Sequence, residues 1–205
     1  MGQIWIASWN HCDLAGKLIL VVIGIFSVIS WIIMIEKYLL FRDVKRRHSR
    51  FMKTLDEGNI SRPTPSPLAN VLTYGRKLLR TRALPEDKLA QCLERAASGE
   101  LEKLANNVSF LAVITTVAPF LGLLGTVWGL LLSFNGMAAS GSSSIRVVAS
   151  GVAEALITTV AGLLVAIPSA VGYSYFTEKL RKTAGLMEEI IPQITSLLLE
   201  KEPKT

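Results

Sequence analysis

Three long apolar segments constrain the fold of this chain more than any other feature of its sequence. They run from Leu18 to Ile35, from about Val108 to Phe134 and from about Val152 to Phe176. Each is long enough to cross roughly 30 Å of hydrocarbon as a helix, which takes about 20 apolar residues. Lipid cannot satisfy an open strand edge, so spans of this kind are helices. We therefore predict an all-α membrane protein with three transmembrane helices, at residues 17–36, 108–134 and 152–176.

The composition agrees with a membrane protein. Half of the 205 residues are hydrophobic and the mean hydropathy is +0.42, which is too apolar for an ordinary soluble domain. The net charge of +6 would suit a nucleic-acid partner if the charge formed a separate patch. The basic residues instead gather beside the apolar segments, so we expect the partner surface to be the lipid bilayer and not nucleic acid.

The distribution of lysine and arginine predicts the orientation in the membrane. Cationic residues closely follow the first span, whereas only Lys17 lies just before it and only Arg146 lies between the second and third spans. Under the positive-inside rule, residues 1–16 and the loop 135–151 lie outside. The regions that then face the cytoplasm are residues 37–107 and the C-terminal helix at 177–205.

The cytoplasmic region is predicted to be mostly helical, so that long helical extensions continue from the spans. The basic stretch after the first span continues that helix, and residues 56–67, with three prolines and a glycine, form a turn. Leu68–Leu79 is predicted as a helix. Another starts at Pro85, with acids in its first turn, and continues into the second span. An apolar stripe on the C-terminal helix is expected to pack against the cytoplasmic part of the second span.

No combination of residues indicates an enzyme, a cofactor or a metal site. Cys12 and Cys92 fall on opposite sides of the membrane in this topology, as do His11 and His48, so neither pair forms a disulfide or a metal site. The spacing between the glycines of the second span is too short for a nucleotide-binding loop, and these glycines lie in the membrane. We expect no catalytic residue, no cofactor and no bound metal.

Small and hydroxylated residues follow one face of each of the last two spans at helical spacing. The residues are Thr115, Pro119, Gly122, Thr126, Gly129 and Ser133 in the second span, and Ala155, Thr159, Gly162, Ala166, Ser169 and Tyr173 in the third, with Thr158 at the edge of that face. Close helix packing, through Gly122, Gly125, Gly129 and Gly162, is one interpretation. The hydroxyls favour another, a narrow polar lining, because Thr126 and Thr159 each lie about seven residues below the outer end of a span. Thr116 and Ser169 match in the same way at a deeper level.

Three further residues of these spans are candidates for function. Glu154 is the only acid within the apolar segments, and an ionisable group there marks a proton or ion pathway unless it lies at the water interface or caps the helix. Pro119 and Pro168 each remove a backbone hydrogen bond in mid-span. A static kink is the favoured interpretation of both prolines, with a flexing point as the alternative.

Two stretches of these spans resemble a known family. GLLGTVWGL in the second span and GVAEALITTVAGLLVAIP in the third are similar to the MotA/TolQ/ExbB proton-channel family, and the first span is closer to the TolQ type. The resemblance implies a homopentamer in a bacterial inner membrane, with a periplasmic N-terminus and a cytoplasmic C-terminus. It implies that the second and third spans surround a lumen holding a dimer of a TolR/ExbD-like single-span protein, whose aspartate carries protons.

The resemblance also implies roles for particular residues. Thr126 and Thr159 would face the partner's aspartate, and Glu154 would lie near the outer mouth, with Thr158, Thr116 and Ser169 as further lumen residues. The function would be that of a stator subunit that couples the proton motive force to work on the cell envelope. A Tol-Pal-type system is favoured, with a TolA-like or TonB-like protein as a further partner. The alternatives are an ExbB-type uptake motor linked to TonB, a structural scaffold without conduction, and a self-sufficient channel or transporter.

Overall fold

The structure, a computed structural model, describes residues 13–56, 66–81, 84–140 and 145–201. These ranges contain five α-helices and no strand: α1 (Leu14–Asp56), α2 (Pro67–Thr81), α3 (Glu86–Ala105), α4 (Val108–Ser140) and α5 (Ile145–Lys201). Three of them contain stretches long and apolar enough to cross a membrane, within Leu14–His48, Val108–Ala138 and Gly151–Glu200. The prediction of an all-α membrane protein with three spans is confirmed.

The helices extend beyond the apolar segments. α1 continues through the basic stretch to Asp56, as expected, and α4 continues to Ser140. Because α5 already begins at Ile145, the segment 135–151 is helical at both ends instead of forming the predicted loop. α4 continues past Phe134 through Asn135 and Gly136, although both are poor helix formers. The turn predicted at 56–67 lies largely outside the described residues.

The predicted continuous helix from Pro85 into the second span is interrupted. α3 begins directly after Pro85, as expected, but it closes at Asn106, whose backbone N–H donates to the Glu102 carbonyl at 3.0 Å. The next residue, Asn107, has a φ of 63°, and asparagine is one of the few residues that adopt this left-handed conformation readily. The second span therefore starts as a separate helix at Val108.

The chain divides into two compact units. The first contains the described residues up to Met34 together with Asn107–Ser174. Its core combines buried apolar residues of all three spans, namely Ile19, Ile23, Ile114, Ala118, Ala161, Val165 and Ala166. The first unit is thus a three-helix packing of the apolar segments.

The second unit contains Ile35–Asn106 and the described residues from Tyr175 onward. Its core is formed by α2, α3 and the end of α5, with Leu72, Leu89, Leu93 and Ile194 almost completely buried. The apolar stripe of the C-terminal helix therefore packs against α3, which leads into the second span, and also against α2, which the sequence did not indicate. A Cβ at Gly75 would lie 2.8 Å from Leu93 Cδ2 and 2.7 Å from Leu198 Cδ1, so the three helices meet there closely.

A buried lysine closes one end of this unit. The Lys37 side chain is only 2% exposed, and its Nζ donates to the Leu104 carbonyl oxygen at 3.2 Å. That carbonyl belongs to the last turn of α3, where helix carbonyls lack backbone partners. Lys37 therefore satisfies the C-terminal end of α3, a role different from the membrane-flanking charge that the sequence indicated.

Candidate functional site

The second and third spans pack against each other through their glycines. A Cβ built at Gly122 would lie 2.9 Å from Thr159 Cα, and one at Gly129 would lie 2.8 Å from Ala155 Cβ. A Cβ at Gly162 would lie 2.5 Å from the Ala118 carbonyl oxygen. These positions pair in antiparallel order, and at each of them the backbone of α4 approaches α5 so closely that no larger residue fits.

Thr158 occupies the centre of this helix contact. Its side chain fills the space beside Gly125, where an added Cβ would lie 2.7 Å from Thr158 Cβ. The residue is 2% exposed. Its hydroxyl lies 3.1 Å from the Gly122 carbonyl oxygen and 2.7 Å from the Ala155 carbonyl oxygen. In the single chain, Thr158 is therefore a packing residue with its hydroxyl engaged, and its predicted place in the lumen stays a prediction.

Thr159 and Thr126 lie at the edge of the contact, where both are only half-buried. Thr159 Oγ1 donates to the Gly122 carbonyl oxygen at 3.0 Å, across the two helices, and Thr126 Oγ1 donates to the Leu123 carbonyl oxygen at 2.7 Å within α4. Thr159 lies beside Gly122, and Thr126 follows Gly122 by four residues, so the two threonines lie about one helix turn, or about 6 Å, apart along the helix axes. Each hydroxyl donates its proton to a backbone carbonyl oxygen and keeps its lone pairs available as hydrogen-bond acceptors.

The deeper pair of hydroxyls does not share a surface. Thr116 is exposed and donates to the Ala112 carbonyl oxygen at 3.1 Å within its own helix. Ser169 is completely buried, and its hydroxyl lies 2.6 Å from the Ser30 hydroxyl and 2.7 Å from the Val165 carbonyl oxygen. The sequence argument compared the hydroxyl positions of the second and third spans only, and it therefore placed Ser169 beside the lumen. In the structure, the Ser169 hydroxyl contacts Ser30 of α1.

The contact between the first and third spans was missed from the sequence. Ser30 is 2% exposed and pairs with Ser169 over 139 positions of the chain. One turn further, a Cβ at Gly172 would lie 2.8 Å from Met34 Sδ, so α1 also rests on a glycine of α5. The first span is the most apolar of the three and contains two serines, Ser27 and Ser30, but the sequence does not indicate a partner for either.

We expect the Ser30–Ser169 hydrogen bond to contribute modestly to stability. Ser169→Ala should lower the free energy of unfolding by about 0.6 kcal/mol and at most about 1.7 kcal/mol, the range for interhelical hydrogen bonds in membrane proteins. A double-mutant cycle with Ser30→Ala in detergent–denaturant titrations measures the coupling. Ser27→Ala is the control, because Ser27 has no hydrogen bond to another helix among the described residues. A cycle with no coupling energy would contradict the contact.

The remaining candidates give less geometric information. Glu154 lies within α5, but its side chain lies outside the described residues. Pro119 and Pro168 lie inside α4 and α5, which are continuous there, and the kinks predicted for them stay predictions. Within the described ranges, no group of three or more His, Cys, Asp or Glu residues is placed to hold a metal ion.

These features define a class before any comparison. The described chain is an α-helical, multi-pass membrane protein whose second and third spans meet through glycines and carry hydroxyls at the edge of the contact. The model of the MotA/TolQ/ExbB proton channel family matches residues 64–189. Since this match covers more than half of the sequence, the chain belongs to the MotA/TolQ/ExbB proton channel family.

Individual relatives carry two different names. The chain is 29% identical to the Tol-Pal system protein TolQ of Pseudomonas aeruginosa, over 94% of this chain and 91% of that protein. It is 31% identical to the biopolymer transport protein ExbB of Pseudomonas putida, over 93% of this chain but only 61% of that protein. It is 28% identical to ExbB of Salmonella typhimurium, over 95% of this chain and 86% of that protein.

The relatives support a coarse assignment. Together with the three apolar helices, they support a multi-pass protein of the inner membrane and a TolQ/ExbB-type proton-channel subunit. Identity to TolQ and to ExbB is nearly the same, so it does not separate the two types.

Proposed function

We propose that this chain is the proton-channel subunit of an inner-membrane motor that couples the proton motive force to work on the cell envelope. The observation that carries the proposal is the pair of half-buried threonines, Thr126 and Thr159, about one helix turn apart at the edge of the glycine-packed contact of α4 and α5. We propose a Tol-Pal-type system, because the sequence of the first span is more similar to the TolQ type than to the ExbB type. The alternative is an ExbB-type uptake motor.

The chain needs a partner to move protons through this region. Its second span has no ionisable side chain between Val108 and Phe134, and its third has none after Glu154 up to Phe176 apart from tyrosines. A proton carrier beside Thr126 and Thr159 must therefore come from another protein. We propose a dimer of a TolR/ExbD-like single-span protein, which contributes a carboxyl group. A potential of about 100 mV supplies about 2.3 kcal/mol for each proton that crosses.

The hydrogen bonds of the two threonines suggest which form of that carboxyl group they accommodate. Both hydroxyl protons already point at backbone carbonyls, Gly122 for Thr159 and Leu123 for Thr126. A hydroxyl in this state retains acceptor lone pairs but no free donor. The threonines can thus accept a hydrogen bond from a protonated carboxylic acid without rearranging, whereas binding a carboxylate requires a hydroxyl to leave its carbonyl.

The outer surface of the spans supports an assembly. Large apolar side chains of α4 and α5 are exposed in the single chain, among them Phe120, Val127, Leu164, Ile167 and Val171. Apolar surface of this extent must be covered by lipid or by further copies of the chain. We propose a homopentamer around the partner dimer, with the N-terminus in the periplasm, the C-terminus in the cytoplasm and Glu154 near the outer mouth. A TolA-like or TonB-like protein would receive the work.

Proton flux in liposomes tests the proposal. The purified chain alone should not dissipate an imposed proton gradient faster than protein-free liposomes. Co-reconstitution with the single-span partner should produce flux, which a partner whose intramembrane carboxyl is replaced by an amide should not. Flux from the chain alone would establish a self-sufficient channel, and an absence of flux with the intact partner would favour a structural scaffold. Proteins that co-purify from native membranes distinguish the Tol-Pal from the TonB-linked system.

A further inference from the structure

One face of α1 changes from apolar to cationic within three turns. Ile35, Tyr38 and Leu39 are each more than half exposed, although they lie at and beyond the end of the apolar segment. The exposed cations Arg42, Lys45 and Arg46 follow. Steps of three and four residues place all six side chains on the same side of the helix. We call Arg42, Lys45 and Arg46 the basic face.

The neighbouring acids do not neutralise the basic face. Asp43 lies at the edge of this side of the helix, and its Oδ2 is 2.8 Å from Arg47 Nε, which points away from the face. Glu36 also lies at the edge, with Oε1 4.0 Å from the buried Lys37 Nζ. Among the residues that the structure describes, none of the three cations of the basic face has an ion-pair partner.

The cations that follow the apolar segment of α5 have partners within that helix. Glu178 binds both of its cationic neighbours, with Oε2 2.7 Å from Arg181 Nη2 and Oε1 3.4 Å from Lys182 Nζ. The Lys179 ammonium lies over the Tyr175 ring, 5.2 Å from its centroid. The two clusters look alike in the sequence, but within the described part of the chain the cations on α5 are paired and those of the basic face are not.

We propose that the basic face binds the phosphate groups of anionic phospholipids, in the leaflet that the C-terminal end of the first span reaches. At 1.5 Å per residue, its Cα atoms lie about 10 to 16 Å along the helix from Ile35, and long Lys and Arg side chains extend back toward a membrane interface. Tyrosine at the headgroup level, here Tyr38, is typical of a membrane interface. Along this face, apolar residues are followed by an aromatic residue and then by cations. This order matches the change in a lipid leaflet from hydrocarbon through the interface to the charged headgroups.

Lipid titrations of the full chain in a mild detergent, read by native mass spectrometry, test the proposal. The wild type should bind phosphatidylglycerol more tightly than phosphatidylcholine with the same acyl chains. Neutralising the basic face (Arg42→Gln, Lys45→Gln and Arg46→Gln together) should reduce that preference by about fivefold for each charge at low salt. Raising the salt concentration should weaken the wild-type preference, because exposed charges are screened.

Two matched variants separate lipid binding from a loss of structure or of bulk charge. Arg181→Gln with Lys182→Gln, on the compensated cluster of α5, should change the preference less than twofold. Arg42→Lys with Arg46→Lys keeps the charge and should keep the preference. Equal affinity of the wild type for the two lipids would overturn the proposal and leave the face to an acidic protein. An equal loss in the α5 variant would overturn it as well. The readout does not involve proton flux, so its outcome is independent of the proposed motor.

Discussion

Replacing Gly162 with leucine is expected to abolish the packing of the second span against the third. A Cβ at this position would lie 2.5 Å from the Ala118 carbonyl oxygen and 3.3 Å from Gly122 Cα. Both atoms belong to the backbone of α4, so no change of side-chain rotamer relieves the clash and the helices must separate. We expect a loss of about 3 kcal/mol or more of unfolding free energy, measured by unfolding in mixed micelles and by the yield of folded protein.

Three glycines provide controls for this prediction. Gly24 and Gly136 have no atom within 4 Å of an added Cβ, so leucine at either should leave the stability of the single chain nearly unchanged. Gly75 is intermediate, because its added Cβ would meet the ends of two leucine side chains, which can move. Alanine should therefore be tolerated better at Gly75 than at Gly162. If Gly162→Leu folds as well as Gly24→Leu, the described contact of α4 and α5 is wrong.

The spans could be predicted because lipid leaves few alternatives. A stretch of apolar residues such as Val108–Phe134 has to satisfy its backbone internally, which makes it a helix wherever it crosses hydrocarbon. The glycines of α4 could be noticed for a related reason. Glycine at helical spacing leaves only backbone on one face, and such a face allows another helix to approach closely. In the structure, these glycines lie at the contact between α4 and α5.

The ends of the helices and the long-range partners could not be predicted. Whether α4 stops at Phe134 or at Ser140 depends on small differences in helix propensity in a segment without an apolar pattern. The interruption at Asn107 needs only one residue in a left-handed conformation, which no periodicity indicates. The pairing of Ser30 with Ser169 joins positions 139 residues apart, and local spacing carries no information about such a contact.

The two adjacent threonines of the third span illustrate the limit at the candidate site. The sequence placed Thr159 on the small-residue face of the third span and Thr158 at the edge of that face, and it assigned both to one pathway. Neighbouring side chains on a helix point about 100° apart. Thr158 therefore turns into the contact beside Gly125 and is 2% exposed. The other lies at the edge and is half-buried. Which of them faces inward depends on the rotation of α5 about its axis, which is set by packing.

That difference makes Thr158 the control for the second large effect, which we expect from Thr159→Val. Valine has nearly the same shape, and the Gly122 carbonyl would keep the Thr158 hydroxyl at 3.1 Å, so the fold and the binding of the partner should persist. A partner carboxylic acid that loses its acceptor in a dry site is left unsatisfied, at a cost of about 1 to 3 kcal/mol. Proton flux through the complex should then fall by about 5- to 150-fold, and Thr126→Val should act in the same way.

Flux per assembled complex in proteoliposomes measures this effect, and two substitutions determine its cause. Thr159→Ser keeps the hydroxyl and should retain most of the flux. Thr158→Val removes a hydroxyl inside the helix contact, 2.7 Å from the Ala155 carbonyl oxygen and 3.1 Å from the Gly122 carbonyl oxygen. It should therefore lower the thermal stability more than Thr159→Val does and leave the flux of the folded complexes largely intact. Full flux in Thr159→Val would remove this hydroxyl from the pathway. An equal loss of flux in the two valine variants would mean that both threonines act through helix packing and not through contact with the proton carrier.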